Sequence, residues 1–218
     1  GTNQEKSNRP TSDAVYTPSR FISLANTLGE VPVATAALGP VAGLPASRLV
    51  ASHFSVMTES SLVLIAGPKV VKRALNIDVT KEALGGPEVH LKSGVINNLA
   101  KTEDDAFEQI KTFLSFVPDN AWTFPDAIST TDKEDRCDDL LIDIIPKDRR
   151  RPYSVRKIIT SLLDINDDQS TFFEIGKKYG PSLVTGLGRL NGQSVGVIAN
   201  DCMFYAGAMT TSASKKLE

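Results

Sequence analysis

The stretch "VPVATAALGPVAGLPASRLVASHFSVMTESSLVLIAGPKVVKRAL", residues 31–75, decides the fold class of this chain. Two short apolar runs lie within it, at 31–38 and 60–67. Continuous apolar runs of this length, bounded by Gly and Pro, are typical of strands buried on both faces of a sheet. We therefore predict two buried strands at these positions.

Helical spacing of apolar residues surrounds and separates the two runs. It covers 19–28 before the first strand, 46–57 between the strands and 68–75 after the second. Pro45 and Pro68 suit the first turn of the last two helices, where a backbone N–H is not needed. The order helix, strand, helix, strand, helix predicts a layered α/β domain.

Three further elements are predicted downstream. Residues 102–117 form the best helical pattern in the chain, with Thr102 placed as its cap and acidic residues in its first turn. An amphipathic helix falls within 143–164. Asn191-Gly192, between alternating apolar residues of 182–201, predicts a β-hairpin whose strands belong to a layer distinct from the first two.

An unusual stretch, "EALGGPEVHLKSGV", occupies residues 82–95. It contains Gly85-Gly86, His90 and Ser93-Gly94, and it has few residues that could be buried. We predict an irregular loop here, between the second strand and the helix that begins near Thr102.

Composition excludes several classes of function. Among 218 residues, 41% are hydrophobic, 23% are charged and 6% are aromatic, with a net charge of −2. This balance predicts neither a nucleic-acid surface nor a membrane span. The two cysteines, Cys137 and Cys202, lack metal-ligand spacing, which favours a reducing compartment, the cytoplasm or the mitochondrial matrix of a eukaryote.

Both ends of the chain are predicted to be incomplete. Residues 1–20 read as irregular, and the first strands of a whole α/β domain are not found before residue 19. The unit that begins near residue 150 holds one helix and one hairpin, which is too little to close a core. We therefore expect a piece of a longer protein, or a fold that a partner completes.

The strongest candidate for chemistry is "LGPVAGLPASR", 38–48, where a predicted strand passes through small residues into a helix. The backbone N–H groups of Ala42, Gly43 and Leu44 would lie at the helix N-terminus and suit an anionic or developing oxyanion group. Pro45 has no N–H, so the donors come from the residues before it. A simple tight turn remains the alternative.

Other candidate side chains are weaker. His90 is either an acid/base residue or an exposed loop histidine, and His53 fits the face of a helix. "GLGRLNG" is a hairpin rather than a phosphate loop because it contains Asn191-Gly192. The sequence shows no Walker motif, zinc spacing, serine elbow or paired carboxylates, and no metal is predicted.

Several of these stretches, in this order, resemble one family. "ALGPVAG" with "LVLIAGPKVVK" is similar to the acyl-CoA-binding half of the carboxyltransferase (β) subunit of biotin-dependent acyl-CoA carboxylases, such as propionyl-CoA and methylcrotonoyl-CoA carboxylases. The Leu-Gly-Gly, His and Ser-Gly pattern of 82–95 also matches. "IIPKDRRRPYSVRKII" and "FFEIGKKYGPSLVTGLGRLNGQSVGVIANDCMFYAGAM" resemble the opening of the second half.

The resemblance implies an α/β crotonase-like (ClpP/crotonase) fold that is used twice. Residues 1–140 would be the later part of the N-terminal, acyl-CoA-binding half, and 141–218 the start of the C-terminal, carboxybiotin-binding half. In the chemistry it implies, carboxybiotin releases CO2, the biotin anion takes the α-proton of the acyl thioester, and the enolate attacks CO2. Such a protein needs two oxyanion holes of backbone N–H groups.

The resemblance also implies site residues. Gly43 and Leu44 match the thioester-side oxyanion hole, although the family often has Gly-Gly there and Leu44 adds bulk that would restrict the acyl group. Residues implied to bind the substrate are Ala42, Gly85, Gly86, His90, Ser93 and Gly94. The family's upstream Ser-Gly-Gly-Ala stretch and its Pro-Gly-Phe region are not present in this chain.

The cofactor implied is biotin, as carboxybiotin on a carrier, with a coenzyme A thioester as substrate. The implied partners are acyl-CoA, a biotin carboxyl carrier or biotin carboxylase subunit, and further copies of the chain in a homo-oligomer. Two alternatives stay open: a non-catalytic scaffold that keeps part of the fold, and a crotonase-like hydratase or decarboxylase. We expect the chain alone to be inactive.

Overall fold

The computed structural model describes residues 20–133, 135–148, 150–167 and 169–218. Within them the helices are α1 (Arg20–Glu30), α2 (Leu44–Val50), α3 (Pro68–Leu75), α4 (Lys81–Gly85), α5 (Pro87–Ser93), α6 (Glu103–Phe116), α7 (Leu140–Asp143), α8 (Val155–Leu162) and α9 (Thr211–Leu217). The strands are β1 (Ala34–Ala37), β2 (Pro40–Ala42), β3 (Phe54–Thr58), β4 (Leu62–Leu64), β5 (Asn98–Ala100), β6 (Ile165–Asn166), β7 (Gln169–Ser170), β8 (Phe173–Ile175), β9 (Leu183–Leu190) and β10 (Gln193–Asn200).

The strands form separate small sheets. Parallel pairing joins β1, β3 and β5 in the order β1-β3-β5, and a second parallel pair joins β2 to β4. The third sheet is antiparallel, in the order β10-β9-β8, and β6 pairs with β7. The parallel pairs with intervening helices confirm the α/β class.

Many predicted elements are confirmed. Helices α1, α3, α6 and α8 lie where apolar spacing placed them, and the Thr102 hydroxyl accepts the Asp105 N–H at 3.1 Å as the cap of α6. The hairpin turns at Asn191-Gly192 and belongs to a sheet distinct from the earlier strands. The expectation of irregular structure at the start of the chain falls on residues 1–19, which lie outside the described residues.

The predicted helix over 46–57 is wrong in its second part. Helix α2 ends at Val50, and the chain then enters β3. Two hydroxyls close the helix, because Thr35 Oγ1 and Ser52 Oγ both donate to the Leu49 carbonyl, at 2.7 and 2.9 Å. All five residues of β3 are buried, so the strand has no polar face whose alternation could separate it from a helix.

The two early strands are shorter than predicted, and they do not pair with each other. The first apolar run contributes only β1, β2 follows it at Pro40–Ala42, and the second run contributes only β4. β1 pairs with β3, whereas β4 pairs with β2. The break at Leu38–Gly39 sends the chain from one sheet into the other, and β4 ends before Ile65, whose surface is 73% exposed.

The predicted loop at 82–95 is also wrong, because the stretch forms α4 and α5. Thr80 caps α4 by accepting the Ala83 N–H at 3.1 Å. Gly86 separates the two helices, and Pro87 occupies the first turn of α5. The Gly and Pro residues that suggested a loop therefore mark the boundaries of two short helices.

A shared core joins the two predicted halves. The Phe54 ring stacks on Phe113 at 5.1 Å and meets Phe173 edge-on at 5.4 Å between ring centroids. Asn98 adds polar contacts across the same junction, since its Nδ2 donates to the Glu174 carbonyl and its Oδ1 accepts the Gly176 N–H. Residues 20–117 and 172–187 thus pack together, and the boundary between residues 140 and 141 stays a prediction.

Candidate active site

A sharp turn between β2 and α2 forms the centre of the candidate site. Gly43 has φ 69° and ψ −133°, a combination that residues with a Cβ rarely adopt. Nothing lies within 4 Å of the position that a Cβ would take at Gly43. Glycine is therefore required here by the backbone conformation and not by crowding.

Of the three predicted backbone donors, Ala42, Gly43 and Leu44, the structure shows one that is already bonded. The Gly43 N–H donates to the Leu64 carbonyl at 2.9 Å, which continues the pairing of β2 with β4. The prediction that the Gly43 N–H is available to an oxyanion is wrong, because the Leu64 carbonyl of β4 accepts it. Among the described residues, no acceptor is found for the Leu44 N–H, and Pro45 has no N–H to offer.

The Leu44 side chain does not fill the core. It is 51% exposed, while Ala46, two residues further along α2, is buried. Ala42 lies at the end of β2 and is exposed. The free N–H of Leu44 therefore lies at the surface end of α2, beside a bulky side chain that a ligand would meet; a restricting effect on the acyl group stays a prediction.

A mostly apolar cavity of about 390 Å³ lies against α2 and β4, the helix that begins at this turn and the strand that binds it, although neither Gly43 nor Leu44 lines it. It is bounded by α2, β4, α3, α4 and α5, and its lining consists of Ala46, Val50, Val63, Leu64, Ile65, Ala66, Val71, Leu84, His90 and Val95. The only titratable side chain in this lining is His90. Such a cavity suits an apolar group with few polar atoms.

His90 holds β4 from the opposite side. Its Nε2 lies 2.7 Å from the Val63 carbonyl oxygen. A carbonyl oxygen only accepts, so Nε2 carries the proton and Nδ1 is the acceptor nitrogen. Nδ1 is buried and has no partner among the described residues. The prediction that His90 contacts the substrate stays a prediction, and only Nδ1 is left for such a contact.

Packing leaves no room for a side chain at either glycine of the Gly-Gly pair. A Cβ at Gly85 would overlap the Val63 carbonyl oxygen and the Leu64 side chain, and a Cβ at Gly86 would approach the Glu82 carbonyl oxygen to 2.6 Å. Gly85 therefore lets α4 contact the Val63–Leu64 peptide directly. We call Gly85, Gly86 and His90 together the β4 clasp.

Ser93 and Gly94 lie at the C-terminal end of α5. Ser93 Oγ donates to the His90 carbonyl at 3.2 Å, and Gly94, with φ 77°, ends α5. A Cβ at Gly94 would come within 2.7 Å of the Tyr179 ring. The structure thus brings Gly43, Leu44 and the β4 clasp together around β4, whereas Gly94 faces the second predicted half.

Sequence reasoning missed the residues that connect these parts. Val63 and Leu64 act through their carbonyl groups, for which a sequence carries no signal. His53 was assigned to a helix face, but it precedes β3 and accepts the Val33 N–H at Nδ1, at 3.0 Å. Its apolar neighbours, which produced the helical spacing, belong to a buried strand.

A charge cluster lies in the second predicted half. Arg156 forms ion pairs with Glu174 and with Asp201, whose side chain is buried. Lys216 donates to the Leu183 carbonyl at 2.7 Å, and burial lowers its pKa to about 8. These four residues have no evident motif, and Lys216 appears in the sequence only as one of two lysines near the end.

Two kinds of site are not found in the described part of the chain. None of its His, Cys, Asp and Glu residues form a group of three or more that could hold a metal ion. None of its helices is long and apolar enough to cross a membrane.

Comparisons with known proteins bear on the family and the fold. The family model described as "Carboxyl transferase domain" matches residues 19–218. The propionyl-CoA carboxylase carboxyltransferase subunit of Haloferax mediterranei is 33% identical over 190 residues, and the methylmalonyl-CoA carboxyltransferase 12S subunit of Propionibacterium freudenreichii subsp. shermanii is 34% identical over 198. These matches cover 86% and 90% of this chain, but 36% and 37% of the relatives.

Solved structures agree. A transcarboxylase 12S crystal structure, described as a hexamer with methylmalonyl-coenzyme A and methylmalonic acid bound, has a TM-score of 0.82 and 32% identity over 90% of this chain and 38% of that chain. A single-chain, multi-domain long-chain acyl-CoA carboxylase has a TM-score of 0.76 and 25% identity, over 95% of this chain and 20% of the other. The predicted crotonase-like fold is confirmed, and the chain spans little more than a third of the curated relatives above.

Proposed function

Because the chain belongs to the carboxyl transferase domain family, we propose that it takes part in moving a carboxyl group from carboxybiotin to the α-carbon of an acyl-CoA thioester. The observation that carries the proposal for this chain's own residues is the free Leu44 N–H at the Gly43 turn. It lies at the start of α2, whose Ala46 and Val50 line the apolar cavity, in the position that the family resemblance assigns to the thioester-side oxyanion hole.

The Leu44 N–H would donate to the thioester carbonyl oxygen. When the α-proton leaves, negative charge moves onto this oxygen, and a donor fixed beforehand stabilises the enolate more than the ground state. Gly43 orients the donor through its positive φ. The carboxylated biotin, when bound, supplies CO2 and the base; it arrives on a carrier as a co-substrate.

The β4 clasp would position this donor from a distance. His90 and Gly85 hold the Val63–Leu64 peptide, and the Leu64 carbonyl binds the Gly43 N–H. Any shift of β4 would therefore tilt the Gly43–Leu44 peptide that carries the donor. Since a misplaced donor loses much of its electrostatic effect, we propose that His90 is a positioning residue at least as much as a substrate contact.

The cavity would receive the acyl part of the substrate. Its walls are mostly apolar. His90 belongs to the lining, and its Nδ1 is a buried polar atom that has no hydrogen-bond partner among the described residues. Ala42, Gly86, Ser93 and Gly94 stay predicted substrate-binding residues through the resemblance alone. The acyl-CoA would then bind with its thioester near Leu44 and its acyl chain against Val63 and Leu64.

The direction of carboxyl movement does not alter this role. A relative named methylmalonyl-CoA decarboxylase subunit alpha, from Veillonella parvula, is 32% identical over 198 residues. Adding and removing the carboxyl group pass through the same enolate, so the same N–H serves both. Carboxyl transfer is proposed here because most of the similar proteins above carry carboxylase or carboxyltransferase names.

Partners and place follow from the same proposal. The reaction requires a biotin carboxyl carrier and its biotin carboxylase, a second oxyanion hole for the biotin side, and, as in the family, a homo-oligomer. We place it in the cytoplasm, or in the mitochondrial matrix of a eukaryote, where Cys137 and Cys202, both free, stay reduced. The 218 residues alone, which match about a third of the relatives' length, should give no carboxyl transfer.

The test exchanges the Leu44 donor without removing α2. Leu44→Pro deletes the N–H at the first helical position, where proline is tolerated, and Leu44→Ala keeps the N–H while removing the side chain. In the complete protein with its carboxylated carrier, Leu44→Pro should lower kcat by about 10²–10³-fold, as for the loss of one oxyanion donor. Leu44→Ala should keep most of the activity. Equal activities of the two variants would overturn the proposal.

A further inference from the structure

A second cavity, of about 200 Å³, lies where the two predicted halves meet. Its lining includes Gly94 and Asn97 after α5, Gly176 and Tyr179 after β8, Thr185 of β9, and Lys216 of α9. We call it the seam cavity. Its described lining shares no residue with that of the apolar cavity.

Several polar groups around the seam cavity have donor capacity that no described protein group uses. Asn97 Oδ1 already accepts from the Ser55 N–H and hydroxyl, at 2.8 and 3.0 Å, so the Asn97 Nδ2 group is the part left over. Lys216 Nζ uses one of its three protons on the Leu183 carbonyl. For Asn97 Nδ2 and the Tyr179 hydroxyl, no partner is found within the described residues.

Positive charge is in excess around the cavity, which also favours an anion. Its described lining contains two cations, Lys215 and Lys216, and no carboxylate. The nearest carboxylate that acts on Lys216 is Glu174, which is held by Arg156 at 2.5 Å, and Arg156 also binds Asp201. The acidic groups are therefore engaged, and the ammonium of Lys216 has no counterion of its own.

Burial of an unpaired ammonium is unfavourable. Loss of water lowers the pKa of Lys216 to about 8, Glu174 opposes this shift, and Arg156 adds to it. An anion in the seam cavity would supply the counterion and would accept from the remaining donors. A volume of about 200 Å³ admits an anion of a few heavy atoms with one or two waters, at about 30 Å³ per water.

We propose that the seam cavity is a binding site for a small oxyanion, of the bicarbonate, carboxylate or phosphate class, held by Lys216 with Asn97 and Tyr179. Bound there, the anion would link α5 and β5 of the first predicted half to α9 and the β8–β9 connection of the second. This site is separate from the thioester chemistry and stands whether or not Leu44 contacts a substrate.

The experiment titrates the chain with bicarbonate, formate, inorganic phosphate or coenzyme A at constant ionic strength, with chloride as the reference anion. The Asn97 side-chain amide signals and the melting temperature report binding. Bicarbonate or formate should shift both, whereas chloride should not. A response to coenzyme A alone would identify the anion as part of that molecule, and a response equal to that of chloride would overturn the proposal.

Three variants locate the site. Lys216→Met removes the half-buried charge and keeps an apolar stem, while Lys215→Met removes the neighbouring exposed charge. The first should weaken anion binding by about 10-fold or more, as for a lost hydrogen bond to a charged group, and the second by less than about 2-fold. Tyr179→Phe keeps the ring against Gly94 and should weaken binding by about 3-fold, which decides the matter if Lys216→Met does not fold.

The pH dependence gives an independent arm. Because the pKa of Lys216 is lowered to about 8, its ammonium is mostly protonated at pH 7 and mostly neutral at pH 9, and the binding of formate, whose own charge is constant over this range, should fall between these two values. Affinity that is unchanged between pH 7 and pH 9, or unchanged in both Lys216→Met and Tyr179→Phe, would overturn the assignment.

Discussion

Two glycine turns in this chain treat their backbone donors in opposite ways. At Asn191-Gly192 both turn N–H groups are occupied, because the Asp164 carboxylate accepts them at 2.8 and 2.7 Å. At Gly43–Leu44 only the first N–H is occupied, by the Leu64 carbonyl.

Hydrogen bonding of the turn N–H groups therefore distinguishes a structural turn from a candidate site. A chain tends to satisfy its polar groups, and the saturated turn fixes a hairpin against Ile128 and Arg189, each of which donates to the Gly192 carbonyl. At the other turn the Leu44 N–H has no acceptor among the described residues, and it lies at the start of α2, which lines an apolar cavity. Both turns need glycine, so the presence of glycine does not distinguish them. They differ in whether both backbone N–H groups of the turn have a hydrogen-bond acceptor.

The largest effect should come from removing the saturating group. Asp164 is 5% exposed, and Asp164→Ala takes away two charge-assisted hydrogen bonds and leaves the buried Gly192 N–H unpaired. We expect the free energy of unfolding, measured by urea denaturation, to fall by about 3–5 kcal/mol. Asp143→Ala, at an exposed position of α7, is the control and should change it by less than about 0.5 kcal/mol. A small loss in Asp164→Ala would show that the hairpin does not depend on this saturation.

The next effect compares the glycines directly. Gly43→Ala meets only backbone strain, at φ 69° with open space around the Cβ, and should cost about 1–3 kcal/mol. Gly192→Ala, at φ 75°, meets the same kind of strain and also overlaps the Ile128 carbonyl oxygen, so it should cost more, about 3–4 kcal/mol. Thermal unfolding of both variants checks the order. The reverse order would mean that Gly43 is held by contacts that the structure does not show.

The smallest effect concerns the β4 clasp. His90→Ala leaves the Val63 carbonyl without its donor and should cost about 1 kcal/mol in stability. Amide hydrogen exchange at Gly43, whose N–H bonds to Leu64, should quicken in this variant.

His90→Gln is the matched control, because its side-chain NH2 can donate to the Val63 carbonyl. It should restore slow exchange at Gly43 and, in the complete protein, most of kcat, with KM for acyl-CoA little changed in either variant. If His90→Gln behaves like His90→Ala in exchange, then His90 does not position the turn.

Apolar periodicity predicted helices α1, α3, α6 and α8 and the β9–β10 hairpin, because each shows its solvent face or a turn signal in the sequence. It failed at β3, where all five residues are buried, since a strand without a polar face looks like part of a helix. It failed at 82–95 because Gly86 and Pro87 mark helix ends as well as loops. A local sequence pattern does not reveal which other element a segment packs against.

The candidate site was predictable in place but not in detail. The Gly-Leu-Pro order indicated a turn into a helix with free donors, and the structure has that turn. The occupation of the Gly43 N–H depends on the register of β2 with β4, which pairs Ala42 with Leu64. Register between strands 22 residues apart, like the burial of Lys216, arises from tertiary contacts that no local motif encodes.

The central claim is that the Leu44 N–H, and not the Gly43 N–H, receives the thioester oxygen. The most direct measurement is a titration of the ¹⁵N-labelled chain with propionyl-CoA, followed through the amide signals of these two residues, with free coenzyme A as control. We expect the Leu44 amide proton to move downfield with the thioester and not with coenzyme A, while the Gly43 amide, bonded to Leu64, stays in place. A Leu44 signal that remains unmoved while propionyl-CoA shifts other residues, or that moves equally with free coenzyme A, would contradict it.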